Sequence, residues 1–133
     1  MANSLKFEHI AIWVKDLESI RKFYTAYFGM KSSDKYVNPN KGYSSYFLSF
    51  NNADTRLEIM YRPDISENPG NRGLSHGLAH ISISVGSKEI VDELTGKIRR
   101  DGYTVTGEPR TTGDGYYESL VLDPEGNFVE ITE

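Results

Sequence analysis

No cysteine occurs in the 133 residues. That excludes disulfides and thiolate metal ligands and is compatible with a reducing compartment. No apolar run approaches the roughly 18 residues of a spanning helix, so no membrane partner is expected. The opening stretch Met1-Ala2-Asn3-Ser4-Leu5-Lys6 lacks a basic region followed by an apolar one. No signal peptide is therefore expected, and a cytoplasmic protein is the default. Charge of one sign is scarce too: the net charge is −4, which gives no reason to expect nucleic-acid binding. No segment is low-complexity. The length is that of one domain with a core of its own.

What the chain does have is an internal repeat. His9-Ile10-Ala11-Ile12-Trp13-Val14 and His80-Ile81-Ser82-Ile83-Ser84-Val85 begin alike, 71 positions apart (9 to 80). Leu57-Glu58-Ile59 and Val129-Glu130-Ile131 match, with the glutamates 72 positions apart (58 to 130). Each half thus carries a His early and a Glu late.

The elements repeat as well. Residues 6–14 alternate as a strand does. Asp16 fits an N-cap, and Leu17, Ile20, Tyr24 and Phe28 follow at helical spacing, with Phe23 and Tyr27 widening the stripe. Gly29 fits the left-handed residue that ends a helix. Residues 31–37 read as a weak strand and Tyr43 to Phe50 as a strong one. A turn at Asn51-Asn52-Ala53-Asp54 follows, and Thr55 to Arg62 returns. Residues 63–77 hold two Pro, three Gly and three Asn or Asp, and read as a linker or functional loop. The pattern then restarts: a strand over Leu78 to Val85, Ser87 as N-cap, and a helix carrying Ile90, Leu94 and Ile98 that Gly102 stops. Strands are expected at Tyr103 to Gly107 and Tyr116 to Leu122, then a tight turn at Asp123-Pro124-Glu125-Gly126-Asn127, and a last strand at Phe128 to Thr132. The expected fold class is α+β, two βαβββ modules over about 5–62 and 78–133. Neither covers its sheet alone, so one domain over 1–133 is expected.

Side chains on a strand alternate between faces. Ile10, Ile12 and Val14 oppose His9, Ala11 and Trp13. Leu57, Ile59 and Tyr61 oppose Arg56, Glu58, Met60 and Arg62. Ile81, Ile83 and Val85 oppose His80, Ser82 and Ser84, and Val129 and Ile131 oppose Phe128, Glu130 and Thr132. Each strand has an apolar face for a helix and puts its His or Glu on the reverse face, a half-polar lining that suits a cleft. Two imidazoles and two carboxylates are a plausible ligand set for one divalent transition metal. The bland alternative is that each is solvated or hydrogen-bonded, the ordinary fate of a lone His or Glu on a polar face. His76 reads as a loop bystander and Glu118 as a strand-edge charge. Arg56 and Arg62 read as anion contacts or as solvated charges. The Tyr and Phe residues read mostly as core, while the parity of Trp13 places it on the ligand face.

These residues carry a resemblance to the vicinal oxygen chelate superfamily, which includes glyoxalase I, extradiol dioxygenases, fosfomycin-resistance thiol transferases and bleomycin-binding proteins. It rests on His9-Ile10-Ala11-Ile12, on Phe23-Tyr24 through Phe28-Gly29-Met30, on Arg56-Leu57-Glu58-Ile59 and on His80-Ile81-Ser82-Ile83. Its most specific part is Leu122-Asp123-Pro124-Glu125-Gly126-Asn127-Phe128-Val129-Glu130-Ile131. The resemblance implies paired βαβββ modules whose curved mixed sheets enclose a metal cleft. It implies His9, Glu58, His80 and Glu130 as metal ligands in the manner of glyoxalase I, with Ni, Zn, Co, Fe or Mn as the metal. Extradiol enzymes would be satisfied by His9, His80 and Glu130, and fosfomycin-type transferases use a similar three. Two positions depart from glyoxalase I. Trp13 stands where those enzymes typically carry an Arg that holds a glutathione carboxylate, and Arg62 stands where they often carry an Asn. Both departures concern recognition of the thiol conjugate and leave the metal chemistry intact.

The expected activity is that of a lyase or isomerase acting on a small 2-oxoaldehyde or thiol adduct. The metal polarises a carbonyl as a Lewis acid, and a carboxylate moves a proton between adjacent carbons through an enediolate. By resemblance Glu130 is the base, with Glu58 second in the symmetric position. Trp13, Met60, Arg62 and Phe128 are the expected substrate contacts. The alternatives are Fe(II)-dependent ring cleavage or thiol addition to an antibiotic, and a non-catalytic small-molecule binding or resistance module. The expected partners are a small molecule and a second copy of the chain.

Overall fold

The computed structural model describes residues 4–67 and 71–133. Met1-Ala2-Asn3 and residues 68–70 of the expected linker lie outside the described residues. The chain divides into two compact units, Met1–Ser66 and Glu67–Glu133, with the boundary inside the stretch expected to link two modules.

The first unit runs β1 (His9–Trp13), α1 (Leu17–Phe28), β2 (Lys31–Ser32), β3 (Tyr36–Asn38), β4 (Tyr43–Ser49) and β5 (Arg56–Tyr61). Its sheet has the order β1-β5-β4-β2, with β3 also on β4. The weak strand expected at 31–37 is in fact two short strands separated by Ser33-Asp34-Lys35. The second unit runs β6 (His80–Ser84), α2 (Lys88–Arg100), β7 (Val105–Thr111), β8 (Tyr117–Leu122) and β9 (Phe128–Thr132), with sheet order β6-β9-β8-β7. The first and last strands of each unit lie side by side and parallel, β1 on β5 and β6 on β9. The remaining pairings are antiparallel. The fold class is α+β, as expected. The parallel pair matters for function because it brings the early His and the late Glu of each repeat onto neighbouring strands.

Both helices start where their caps dictate. Asp16 Oδ1 accepts from Ser19 N at 3.1 Å and Ser87 Oγ from Ile90 N at 3.2 Å, satisfying donors the first turn leaves free. Gly29 ends α1 at φ 65° with its N–H on Tyr24 O, the left-handed cap its sequence position predicts. In the first unit Leu17, Ile20, Phe23 and Tyr24 of α1 are buried along with Leu48, Leu57 and Ile59 of the sheet. In the second, the buried set is Val91, Thr95 and Ile98 of α2 with Ile83, Val121, Val129 and Ile131. The stripe expected on α2 is therefore corrected: Ile90 is 44% exposed and the inward face runs through Val91 and Thr95. Thr95 fits there because its hydroxyl donates to Val91 O and also bonds Ser119 Oγ, each at 2.6 Å. The strand expected at 103–107 lies instead at Val105–Thr111 and includes Pro109. It is an edge strand with register shifts around Gly107, where a residue without an N–H costs no interior ladder bond.

Candidate metal centre

The helix-facing residues of β1, β5, β6 and β9 leave His9, Glu58, His80 and Glu130 on the opposite faces, as the alternation predicts. In the first unit Ala11 is the register partner of Glu58 and His9 that of Arg56. His9 Nε2 lies 3.4 Å from Glu58 Oε1. The other carboxylate oxygen, Oε2, accepts a 3.0 Å hydrogen bond from the Tyr43 hydroxyl. In the second unit Ser82 is the partner of Glu130 and His80 that of Phe128. His80 Nε2 lies 3.3 Å from Glu130 Oε2, and Oε1 accepts from Ser82 Oγ at 3.0 Å. The two repeats thus build the same arrangement by different means. One glutamate oxygen is tied by a hydroxyl, and the other faces a histidine Nε2.

Among the described residues, no group of three or more His, Asp or Glu side chains is gathered closely enough to hold a metal ion. Each unit holds one His–Glu pair. With metal–ligand bonds of about 2.1 Å, neighbouring donors sit about 3.0 Å apart at right angles and about 3.4 Å apart at the tetrahedral angle. The observed 3.3 and 3.4 Å fall in that interval and are long for an N–H···O hydrogen bond. The donor set, imidazole with carboxylate, suits a divalent transition metal.

Burial and Glu58 together hold the Tyr43 phenol above its ordinary pKa, with burial the larger cause, so it stays a donor to the carboxylate. Trp13, 39% exposed, meets Tyr43 edge-on at 6.3 Å and is the register partner of Met60. The Arg62 guanidinium sits 5.5 Å from the Trp13 ring centre, and its fork is occupied by Asp64 at 2.7 and 3.0 Å. Trp13 therefore touches Tyr43, which ties Glu58, while Met60 pairs with Trp13 across the strands and Arg62 lies over the Trp13 ring. Phe128 lies on the Glu130 face of β9, and Gly73 (φ 78°) is so close that a Cβ there would clash with the Phe128 ring. The loop carrying Gly73 is further held by Arg72, which donates to Glu125 O. His76 lies exposed in that loop.

Tyr43, Phe47, Glu118 and Arg56 stand otherwise than the sequence suggests. Tyr43 and Phe47 share the Glu58 face of β4, Phe47 directly across from Glu58; strand parity would have found both, but aromatics had been assigned mostly to the core. Glu118 is not a strand-edge charge. It lies on β8, inside the sheet, and is 9% exposed. Burial first, then the hydrogen bond and charge of Glu130, push its carboxyl above the usual range, and Arg110 opposes the shift. Arg56 is partly engaged within the chain: its Nη2 donates to Glu8 at 2.8 Å and its guanidinium stacks 3.8 Å from the Phe47 ring centre.

A His–Glu pair on the parallel first and last strands recurs in both βα-plus-antiparallel-strand units. The profile of the Glyoxalase/Bleomycin resistance protein/Dioxygenase superfamily matches residues 6–131, and the chain belongs to that superfamily. A lactoylglutathione lyase of Arabidopsis thaliana is 31% identical over 131 residues, which is 96% of this chain and 44% of that protein. The chain thus spans less than half the length of this plant relative. The lactoylglutathione lyase of Haemophilus influenzae is 29% identical over 94% of this chain and 90% of its own length. Among solved structures, the trypanothione-dependent glyoxalase I of Leishmania major superposes with a TM-score of 0.73 at 27% identity, over 98% of this chain and 87% of that one. Among the described residues no helix is long and apolar enough to cross a membrane.

Proposed function

We propose that the chain is a glyoxalase I-like, metal-dependent lyase or isomerase acting on a small substrate with two vicinal oxygens. The carrying observation is the recurrence of one arrangement in both repeats, a histidine Nε2 at 3.3–3.4 Å from a glutamate oxygen whose twin is tied by a hydroxyl. The relatives named lactoylglutathione lyase support it. His9, Glu58, His80 and Glu130 are the proposed ligands, two donors from each unit. A divalent transition metal held there supplies Lewis acidity to the substrate carbonyl.

The rest of the chemistry belongs to the chain. Glu130 is the proposed base that takes the proton from the carbon beside the carbonyl and returns it to the neighbouring carbon. Ser82 fixes one of its oxygens, so the other is presented in a single orientation. Glu58, tied by Tyr43, holds the equivalent position in the first repeat and is the second candidate. Trp13, Met60, Arg62 and Phe128 are the proposed substrate contacts. Because Asp64 occupies the Arg62 fork, an anionic substrate group must share or displace that carboxylate. A thiol other than glutathione, or a substrate without one, fits this surround.

Purified without a histidine tag, the wild type is expected to carry stoichiometric transition metal by mass spectrometry, and His80→Ala to lose it. Glu130→Gln is expected to lower turnover of a 2-oxoaldehyde–thiol adduct by about 100-fold or more. Full turnover by Glu130→Gln removes it as the base. A second reading is a small-molecule binding module without metal. Protein that refuses added Ni, Zn, Co and Fe decides for that one.

A further inference from the structure

Glu8 precedes β1, and its side chain is 61% exposed. Nothing in its composition or spacing marks it, yet it belongs to a closed circuit of four side chains. Its Oε1 lies 2.8 Å from His9 Nδ1 and accepts from Arg56 Nη2 at 2.8 Å. The Arg56 guanidinium lies over the Phe47 ring at 3.8 Å. The same ring meets the His9 imidazole edge-on, with centroids 5.3 Å apart and planes at 87°. Backbone pairing keeps the members in place: Arg56 N donates to Glu8 O at 3.0 Å, and His9 is the register partner of Arg56.

We propose that Glu8, held by Arg56 and Phe47, is a positioning residue that fixes the tautomer and ring orientation of His9, presenting Nε2 together with Glu58 to a divalent transition metal. The inference rests on the metal reading above. A carboxylate accepts and does not donate, so the hydrogen of neutral His9 sits on Nδ1 and the lone pair on Nε2. Nε2 is the atom 3.4 Å from Glu58 Oε1. Rotation of the imidazole would break the Glu8 contact and lose the edge-on contact with Phe47. Carboxylate partners of this kind orient ligand histidines and raise their basicity.

The second repeat is an internal comparison. There the residue before the histidine is Ala79, and the register partner of His80 is Phe128 rather than an arginine. The orienting circuit is thus a property of the first repeat, and the two histidines are expected to differ in ring state although their glutamates are arranged alike.

The experiment is histidine ring 15N NMR on metal-free protein, paired with zinc affinity measured by competition against a chromophoric chelator. Wild-type His9 is expected as the Nδ1–H tautomer, and Glu8→Ala is expected to move it toward the Nε2–H form while His80 signals stay put. Glu8→Ala is expected to weaken zinc binding about 10–100-fold, and Glu8→Gln, which keeps an acceptor oxygen, by less. Circular dichroism of metal-free Glu8→Ala should match wild type. An Nε2–H tautomer at wild-type His9, or unchanged zinc affinity in Glu8→Ala, overturns the proposal. Wild type that takes up no zinc overturns the metal reading instead, and the ring spectra then decide separately whether Glu8 orients His9.

Discussion

Burying a carboxyl beside a second carboxylate disfavours its charged form twice, by desolvation and by repulsion. Glu118 is in that position next to Glu130. Its pKa is raised in the folded chain, so between the ordinary carboxyl range and the raised value the folded state binds more protons than the unfolded one. Stability therefore falls as pH rises through that window and levels off above it. Glu118→Gln removes the proton exchange. In protein stripped of metal, its stability relative to wild type is expected to grow as pH is raised from about 4 to 8, read from denaturant midpoints at each pH. A difference that stays constant with pH would show that Glu118 titrates normally. Glu118 also shows what the sequence could and could not disclose at this scale. The face it occupies follows from alternation, because β8 pairs Leu120 with Glu130. Its burial does not, because that depends on β8 lying between β9 and β7, a strand order set by contacts distant in sequence. The same applies to Glu8, whose role appears only once Arg56 and Phe47 are beside it.

Elements were legible where a local rule fixes them. Both helix starts, the left-handed Gly29 and the turn before β9 were all predicted at their observed places. The misreadings have a common cause, which is tertiary context overriding pattern. On α2 the apolar spacing favoured Ile90 and Leu94, and the buried Thr95–Ser119 hydroxyl pair turned the helix to a polar residue that hydrophobicity cannot credit. At β7 the strand, expected to end at Gly107, runs on through Pro109, which an edge position tolerates. The turn at 123–127 shows why the most specific part of the sequence is also a structural device. Asp123, 4% exposed, accepts from Glu125 N at 2.9 Å and Asn127 N at 3.0 Å through Oδ1, and from Asn127 Nδ2 at 2.8 Å through Oδ2. This turn sets where β9, and so Glu130, begins. Asp123→Ala leaves three half-buried donors without their partner and is expected to cost about 1–3 kcal/mol, seen as a lower urea midpoint at unchanged slope. A loss below about 0.5 kcal/mol, the size of an ordinary surface substitution, would mean water replaces the side chain.

For the molecule as a whole, duplication explains why so much of the plan could be read. The parallel pairing of first and last strands, made twice, turns two weak one-letter coincidences into two His–Glu pairs of matching geometry. On the proposed reading the four donors serve one ion, so binding would depend on both repeats at once. That dependence has a thermodynamic consequence. A ligand that binds only the folded chain stabilises it by about 2.7 kcal/mol at a free concentration of 100 times its dissociation constant. Adding zinc or nickel to chelator-treated wild type is therefore expected to raise the thermal midpoint in a concentration-dependent way. If both pairs serve one ion, His9→Ala and His80→Ala should each abolish most of that rise, and the double variant should lose little more than either single one, because the first deletion has already broken the set. If instead each pair acts alone as a weak surface site, each single variant should retain about half of the response and the two losses should add. Differential scanning calorimetry of the four proteins across a metal titration separates these cases.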